Sequence, residues 1–176
     1  MNLLRVGLVV GLAILCAGCP SILKPEAMQA SIAPPLHRSA GDLLVVVMGA
    51  TKLSKTKPVQ VTDDGFAQAL AASIEQSGIF RRVLRDASGH YRLDATVQGL
   101  EEDIFGLDMT ASMEVSYVLA RMSPKGIVWE KKIRTSHTAG MNDSVISITR
   151  VRLATEGASR RNIEQALQDI SVLKLD

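Results

Sequence analysis

Apolar and polar positions alternate with a period of two through much of the second half of the chain. Over residues 91–98, Tyr91, Leu93, Ala95 and Val97 alternate with Arg92, Asp94, Thr96 and Gln98. Over residues 109–119 the odd positions, Met109 to Leu119, are apolar, while Thr110, Ser112, Glu114 and Ser116 are polar. Period two is the repeat of a strand with one face buried. A third such strand follows, in which Ile127, Trp129 and Ile133 alternate with Glu130, Lys132 and Arg134. Before it, Ser123–Pro124–Lys125–Gly126 has proline and glycine where a type I hairpin turn with a following bulge wants them. The acidic stretch Glu101, Glu102, Asp103 and a turn near Gly106 join the first two strands. The pattern predicts a three-stranded antiparallel meander.

The first half reads differently. Residues 43–48 form a continuous valine-rich run between Gly41 and Gly49, the signature of a strand buried on both faces or central in a sheet. Residues 51–61, with Lys52, Lys55, Lys57 and Pro58, read as a solvated loop. Thr62 or Asp63 can cap a helix to Ser77, with Phe66, Leu70 and Ile74 on one stripe and Gly78 as its stop. A short strand over 79–85 and a turn over 86–89 follow. Residues 143–173 space Ile148, Val151, Ile163, Leu167 and Ile170 as one long helix, with Gly157 as the site for a bend. The order β-α-β-β-β-β-α predicts an α/β (α+β) fold: a two-layer sandwich over residues 42–176, its largely antiparallel sheet carrying two helices on one face.

The first nineteen residues belong to no such element. Arg5 is the only charge before Cys19, residues 6–15 are almost wholly apolar, and Ala17 and Gly18 stand directly before Cys19. This is an export signal occupying residues 1–18. The ending Cys16–Ala17–Gly18–Cys19 resembles the bacterial lipobox, with Cys16 where leucine is usual. That resemblance implies that Cys19 becomes the acylated N-terminus and a permanent membrane anchor, each buried methylene adding about 0.8 kcal/mol. Pro20, rather than aspartate, follows the cysteine, which in such lipoproteins implies transport to the outer membrane, facing the periplasm. The alternative, a C-x-x-C redox or metal pair, needs a folded setting and a second Cys or His pair, and neither is present.

Residues 19–41 contain Pro20, Pro25, Pro34 and Pro35 and no sustained period. They read as the lipidated cysteine and a tether, which at roughly 3.3 Å per residue reaches on the order of 70 Å. The alternative is a segment packed over the domain.

Composition narrows the function classes. The chain has 176 residues, 47% hydrophobic, with three Phe, two Tyr and one Trp, so stacking platforms for sugars or single strands are scarce. Its net charge is +2, without the basic excess of a nucleic-acid binder, so nucleic acid is not an expected partner. His37, His90 and His137 have no metal-site spacing, and Glu101, Glu102, Asp103 and Asp108 lack the alternation of a calcium loop. No nucleophile elbow, phosphate loop, dinucleotide fingerprint or zinc-protease motif occurs, so no cofactor or metal is expected. Arg81–Arg82, Arg160–Arg161 and the loop lysines describe either solvated surface or contacts to anionic headgroups.

Two features stay open. Ser112, Glu114, Ser116, Glu130, Lys132 and Arg134 fall together on the uncovered sheet face, either as ordinary wet surface or as a partner-binding face. Met48, Met109, Met113 and Met122 are either core filler or the lining of an acyl slot.

The signal, the proline-containing segment, Gly65–Phe66–Ala67–Gln68–Ala69–Leu70 leading to Ser77–Gly78–Ile79–Phe80, Gly126–Ile127–Val128–Trp129 and the Asn162–Ile163 helix resemble small envelope lipoproteins with a β-α-β-β-β-α sandwich. These include auxiliary lipoproteins of envelope ABC-type transport systems and, more loosely, the lipopolysaccharide-assembly lipoprotein. The resemblance implies a non-enzymatic helper that binds another envelope protein or a lipid. A structural or stress-related surface lipoprotein is the second expectation, and a hydrolase with an unrecognised site the third.

Overall fold

The computed structural model describes residues 20–84, 89–105 and 107–175. The signal segment, Cys19, most of the 86–89 turn and Gly106 lie outside the described residues. In chain order the elements are β1 (Ser21–Ile22), α1 (Pro25–Met28), β2 (Asp42–Met48), α2 (Ala50–Ser54), β3 (Val59–Gln60), α3 (Asp63–Ser77), β4 (Arg82–Leu84), β5 (Tyr91–Phe105), β6 (Asp108–Met122), β7 (Lys125–Ala139) and α4 (Ser147–Ser171).

Five strands form one sheet in the order β4-β2-β5-β6-β7. The long β5, β6 and β7 pair antiparallel as the alternation requires. The shorter β2 pairs parallel with both β4 and β5, with α3 crossing between β2 and β4. The interior position of β2 suits its apolar run, but only one face is covered: Leu43 and Val45 are buried, Leu44 and Val46 half-buried and Met48 exposed. Helices α3 and α4 cover one face, α3 over β2 and β4 and α4 over β6 and β7, so the predicted two-layer α+β sandwich is the observed architecture.

The helix α3 is set by local chemistry. The Thr62 hydroxyl accepts the Gly65 N–H at 3.0 Å, and Gly78 ends the helix at φ 68°, a left-handed conformation that favours glycine. Phe66, Leu70 and Ile74 are buried in the core, on the side of α3 that packs over β2.

One polar cluster pins α4 to the sheet. Asn162 is fully buried; its Oδ1 accepts from the Tyr117 hydroxyl at 2.9 Å. Its Nδ2 donates to the Ile133 carbonyl at 3.0 Å, to the Met113 carbonyl at 3.3 Å and to Thr135 Oγ1 at 3.2 Å. Burial pushes the Tyr117 hydroxyl far above the usual tyrosine range, so it remains a donor. Nearby, Gly157 allows α4 to lie on His137: a Cβ there would stand 2.0 Å from the imidazole Cδ2. The residue read as a bend site is thus a site of close approach.

Several expectations are corrected. Residues 20–41 are not a free tether. The Ser21 N–H donates to the Pro58 carbonyl at 3.0 Å, and the Leu23 N–H to Gln60 at 2.9 Å. Leu23, Met28 and Ala30 are buried, and the Ala30 N–H donates to Ser73 Oγ at 2.9 Å. The alternative of a packed segment is the correct one, because these three apolar side chains find places against α3 that prolines do not prevent. Residues 51–61 hold α2 and β3 rather than a plain loop, since β3 provides the parallel partner for β1. Strand β5 continues through Glu101, Glu102 and Asp103 because a bulge at Gln98 resets the side-chain parity. The β6–β7 connection is the two residues Ser123 and Pro124, joined by a cis bond, and the bulge falls at Val128. That bulge turns Ile127 outward, where it is 63% exposed. The methionines do not line one slot: Met113 is in the core and Met48 is exposed.

Candidate functional site: the open face of the sheet

The face of the sheet opposite α3 and α4 is polar because β6 and β7 send alternate side chains there. The six residues expected on it do come together. Glu114 lies opposite Arg134 in the ladder, Ser116 opposite Lys132, Val118 opposite Glu130 and Ser112 opposite Ser136. Glu114 is shared by two cations, Lys132 Nζ at 3.4 Å and Arg134 Nη1 at 4.0 Å. Arg134 also donates to Glu101 on β5. Thr110 and Thr138 exchange a hydroxyl hydrogen bond at 2.8 Å further along.

The bulge supplies what the alternation alone did not predict. By inserting Gln98 between Val97 and Gly99, it puts Leu100 on the helix side and Glu101 on the open side. Gly99, with no side chain, faces Glu114 and leaves a recess of about 100 Å³ bordered by Gln98, Glu101, Ser112, Glu114 and Arg134. A second, of about 270 Å³, lies along Ser116, Val118, Glu130 and Lys132. Sequence reasoning missed Gln98, Gly99 and Glu101. The available signal was a glycine interrupting a strand pattern, which marks a bulge. Chemically the face offers paired charges of both signs and hydroxyls on a rigid ladder. Each exposed pair contributes only about 0.2–1 kcal/mol to stability, so a partner can exchange these pairs at little cost.

A larger cleft, of about 590 Å³, opens at the end of the sheet near the β6–β7 hairpin, between Gly41, Asp42, His90, Tyr91, Arg121 and Leu175. Its polar groups already hold one another. Asp42 receives Arg81 Nε at 2.9 Å and Nη2 at 2.8 Å, and Arg82 Nε at 3.2 Å and Nη2 at 2.7 Å. These two guanidinium forks hold its carboxyl far below the usual carboxylate range. The Asp42 N–H donates to His90 Nδ1 at 3.1 Å, and the Leu175 carbonyl accepts from both the Tyr91 hydroxyl and Arg121 Nη2, the latter at 2.8 Å. The arrangement ties the start of β2 and the chain's last residues to the sheet.

The remaining singled-out residues are scattered. Arg160 Nη2 donates to the Ala27 carbonyl at 2.7 Å and Arg161 Nη1 to the Ser136 carbonyl at 2.8 Å, so both serve as structural braces. His137 has a buried Nδ1 without a partner, and its burial, followed by Arg161 and Arg160, lowers its pKa and keeps it neutral. Among the described residues no three His, Cys, Asp or Glu side chains are grouped to hold a metal ion.

No protein-family model matches the chain, and neither does any curated protein sequence. Solved structures do. A DUF330-family protein from Xanthomonas campestris superposes with a TM-score of 0.65 at 18% identity, over 84% of this chain and 92% of its own. The PelC dodecamer from Paraburkholderia phytofirmans gives 0.53 at 15% identity, over 80% of this chain and 94% of that one. A minor lipoprotein from Acinetobacter baumannii gives 0.46 at 10% identity, over 74% and 91%. The chain shares the fold of the first two.

Proposed function

We propose that this protein is a non-catalytic lipoprotein, acylated at Cys19 and held on the periplasmic side of the outer membrane. There it acts as a binding or accessory component in envelope assembly or transport. The observation that carries this reading is the open sheet face. Helices close one side of the sandwich, while the other presents Glu114, Lys132 and Arg134 as a preorganised, mixed-charge surface on the most extended strands of the fold. A protein partner of complementary charge fits such a surface better than a small molecule does, because its recesses are shallow and polar. The lipobox-like ending before Cys19 supports the anchor.

Two substitutions test the reading. Cys19→Ser abolishes acyl labelling and releases the protein to the soluble periplasm; retention on the membrane with labelling would overturn the anchor. Reversing both charges, Glu114→Lys with Lys132→Glu, leaves the fold intact and removes a stoichiometric partner from cross-linked, detergent-solubilised envelopes. Recovery of the same partners by the reversed variant would refute the open face as the binding surface.

A further inference from the structure

The end of the domain where the chain enters combines three observations that the open face does not explain. The first is reach. Because Ser21 is already registered against Val59 and hydrogen-bonded to Pro58, only Pro20 separates Cys19 from a paired strand. Two extended residues span roughly 7 Å. The second is a group of outward aliphatic side chains at that same end. Val145 is 78% exposed, Ile146 57% and Ile148 42%, with Leu107 at 63% on the adjoining turn. Ile148 and Pro20 line one depression of about 550 Å³, and Gly140 lies against the Asp108 carboxylate, which places the 140–148 segment beside the β5–β6 turn.

The third is order. The Gly140 N–H donates to Asp143 Oδ2 at 2.8 Å, the Ile146 N–H to Ser144 Oγ at 3.1 Å and Arg150 Nη1 to the Ser144 carbonyl at 2.8 Å. Hydrogen bonds thus hold these side chains outward on a fixed loop, where water is their worst solvent.

We propose that this end docks on the bilayer surface, with Val145, Ile146 and Ile148 seated among the headgroups and upper acyl carbons. The inference rests on acylation of Cys19: a lipid fixed within about 7 Å of β1 leaves the domain no room to stand away from the membrane. Among the described residues no helix is long and apolar enough to cross a membrane, and the contact is peripheral. The strands then run away from the lipid, with the β6–β7 hairpin farthest from it and the open face unobstructed for a partner.

The test uses the full-length acylated protein in vesicles of phosphatidylethanolamine and phosphatidylglycerol. An environment-sensitive fluorophore is attached at Ile146→Cys, or at Ile127→Cys on the far hairpin as the reference. Flotation reports the anchor and iodide quenching reports depth. The expected result is flotation of both, with quenching several-fold weaker at position 146 than at 127. That protection is lost when Val145→Ser and Ile148→Ser are added, while flotation persists. Equal quenching at both positions in floating protein would overturn the docking and leave the anchor standing; failure to float would overturn both.

Discussion

Replacing Asn162 by alanine tests whether the buried polar cluster, rather than apolar packing alone, sets the seat of α4 on the sheet. The substitution leaves the fully buried Tyr117 hydroxyl without its 2.9 Å acceptor. A stranded buried hydroxyl costs about 2 kcal/mol, and loss of the Nδ2 bonds to Met113, Ile133 and Thr135 adds about 1 kcal/mol. Thr135 keeps its bond to the Ala158 carbonyl at 2.8 Å and contributes no further penalty. The total, about 3 kcal/mol, corresponds to a melting temperature lower by about 6–12 °C for a domain of this size. Urea unfolding followed by circular dichroism measures it, and Tyr117→Phe provides the decisive comparison. In the parent protein that change strands Asn162 Oδ1 and destabilises. In the Asn162→Ala background it removes the stranded hydroxyl and restores about 2 kcal/mol. Equal losses from Tyr117→Phe in both backgrounds would refute the cluster as a coupled unit. The consequence reaches the proposed membrane contact, because α4 carries Ile148 in its first turn.

Three further outcomes follow from the same geometry. Gly157→Ala drives a Cβ into His137 and lowers stability by about 1–3 kcal/mol in thermal melts, whereas in a His137→Ala background helix propensity makes it stabilising by roughly 0.5–1 kcal/mol. The Asp42 carboxyl, depressed by Arg81 and Arg82, gives its full stability above an unfolded pKa of about 3.9; this erodes as pH falls below that value, because the unfolded chain then binds the extra proton. Asp42→Asn therefore flattens the acid limb of the denaturation profile, and an unchanged limb would contradict the assignment. Glu114→Gln changes stability by less than about 1 kcal/mol, as exposed ion pairs do, and a larger loss in urea titrations would mean the open face is structural.

Much of the architecture follows from period alone. The odd positions of β6 are buried from Met109 to Leu119 as the alternation requires, and Thr62 and Gly78 bound α3 because capping chemistry is local. The six open-face residues, Ser112, Glu114, Ser116, Glu130, Lys132 and Arg134, are legible for the same reason: even spacing on paired strands puts them on one side. Glu101 was not, because the bulge at Gln98 shifts parity by one residue and a single inserted residue carries almost no signal in a polar stretch. Ile127 was misplaced by the same kind of event on β7.

The sequence by itself determined the order of the main elements, the bounds of α3 and the polar character of one sheet face. Each of these is written in local composition or in a short repeat, which a chain carries before it folds. Tertiary structure alone decided that residues 20–41 pack instead of tethering, that Asn162 meets Tyr117, and that Ile148 comes to line one depression with Pro20. Those outcomes depend on which distant surfaces come together, and a proline-containing segment reads the same whether or not α3 offers Leu23, Met28 and Ala30 a place to bury.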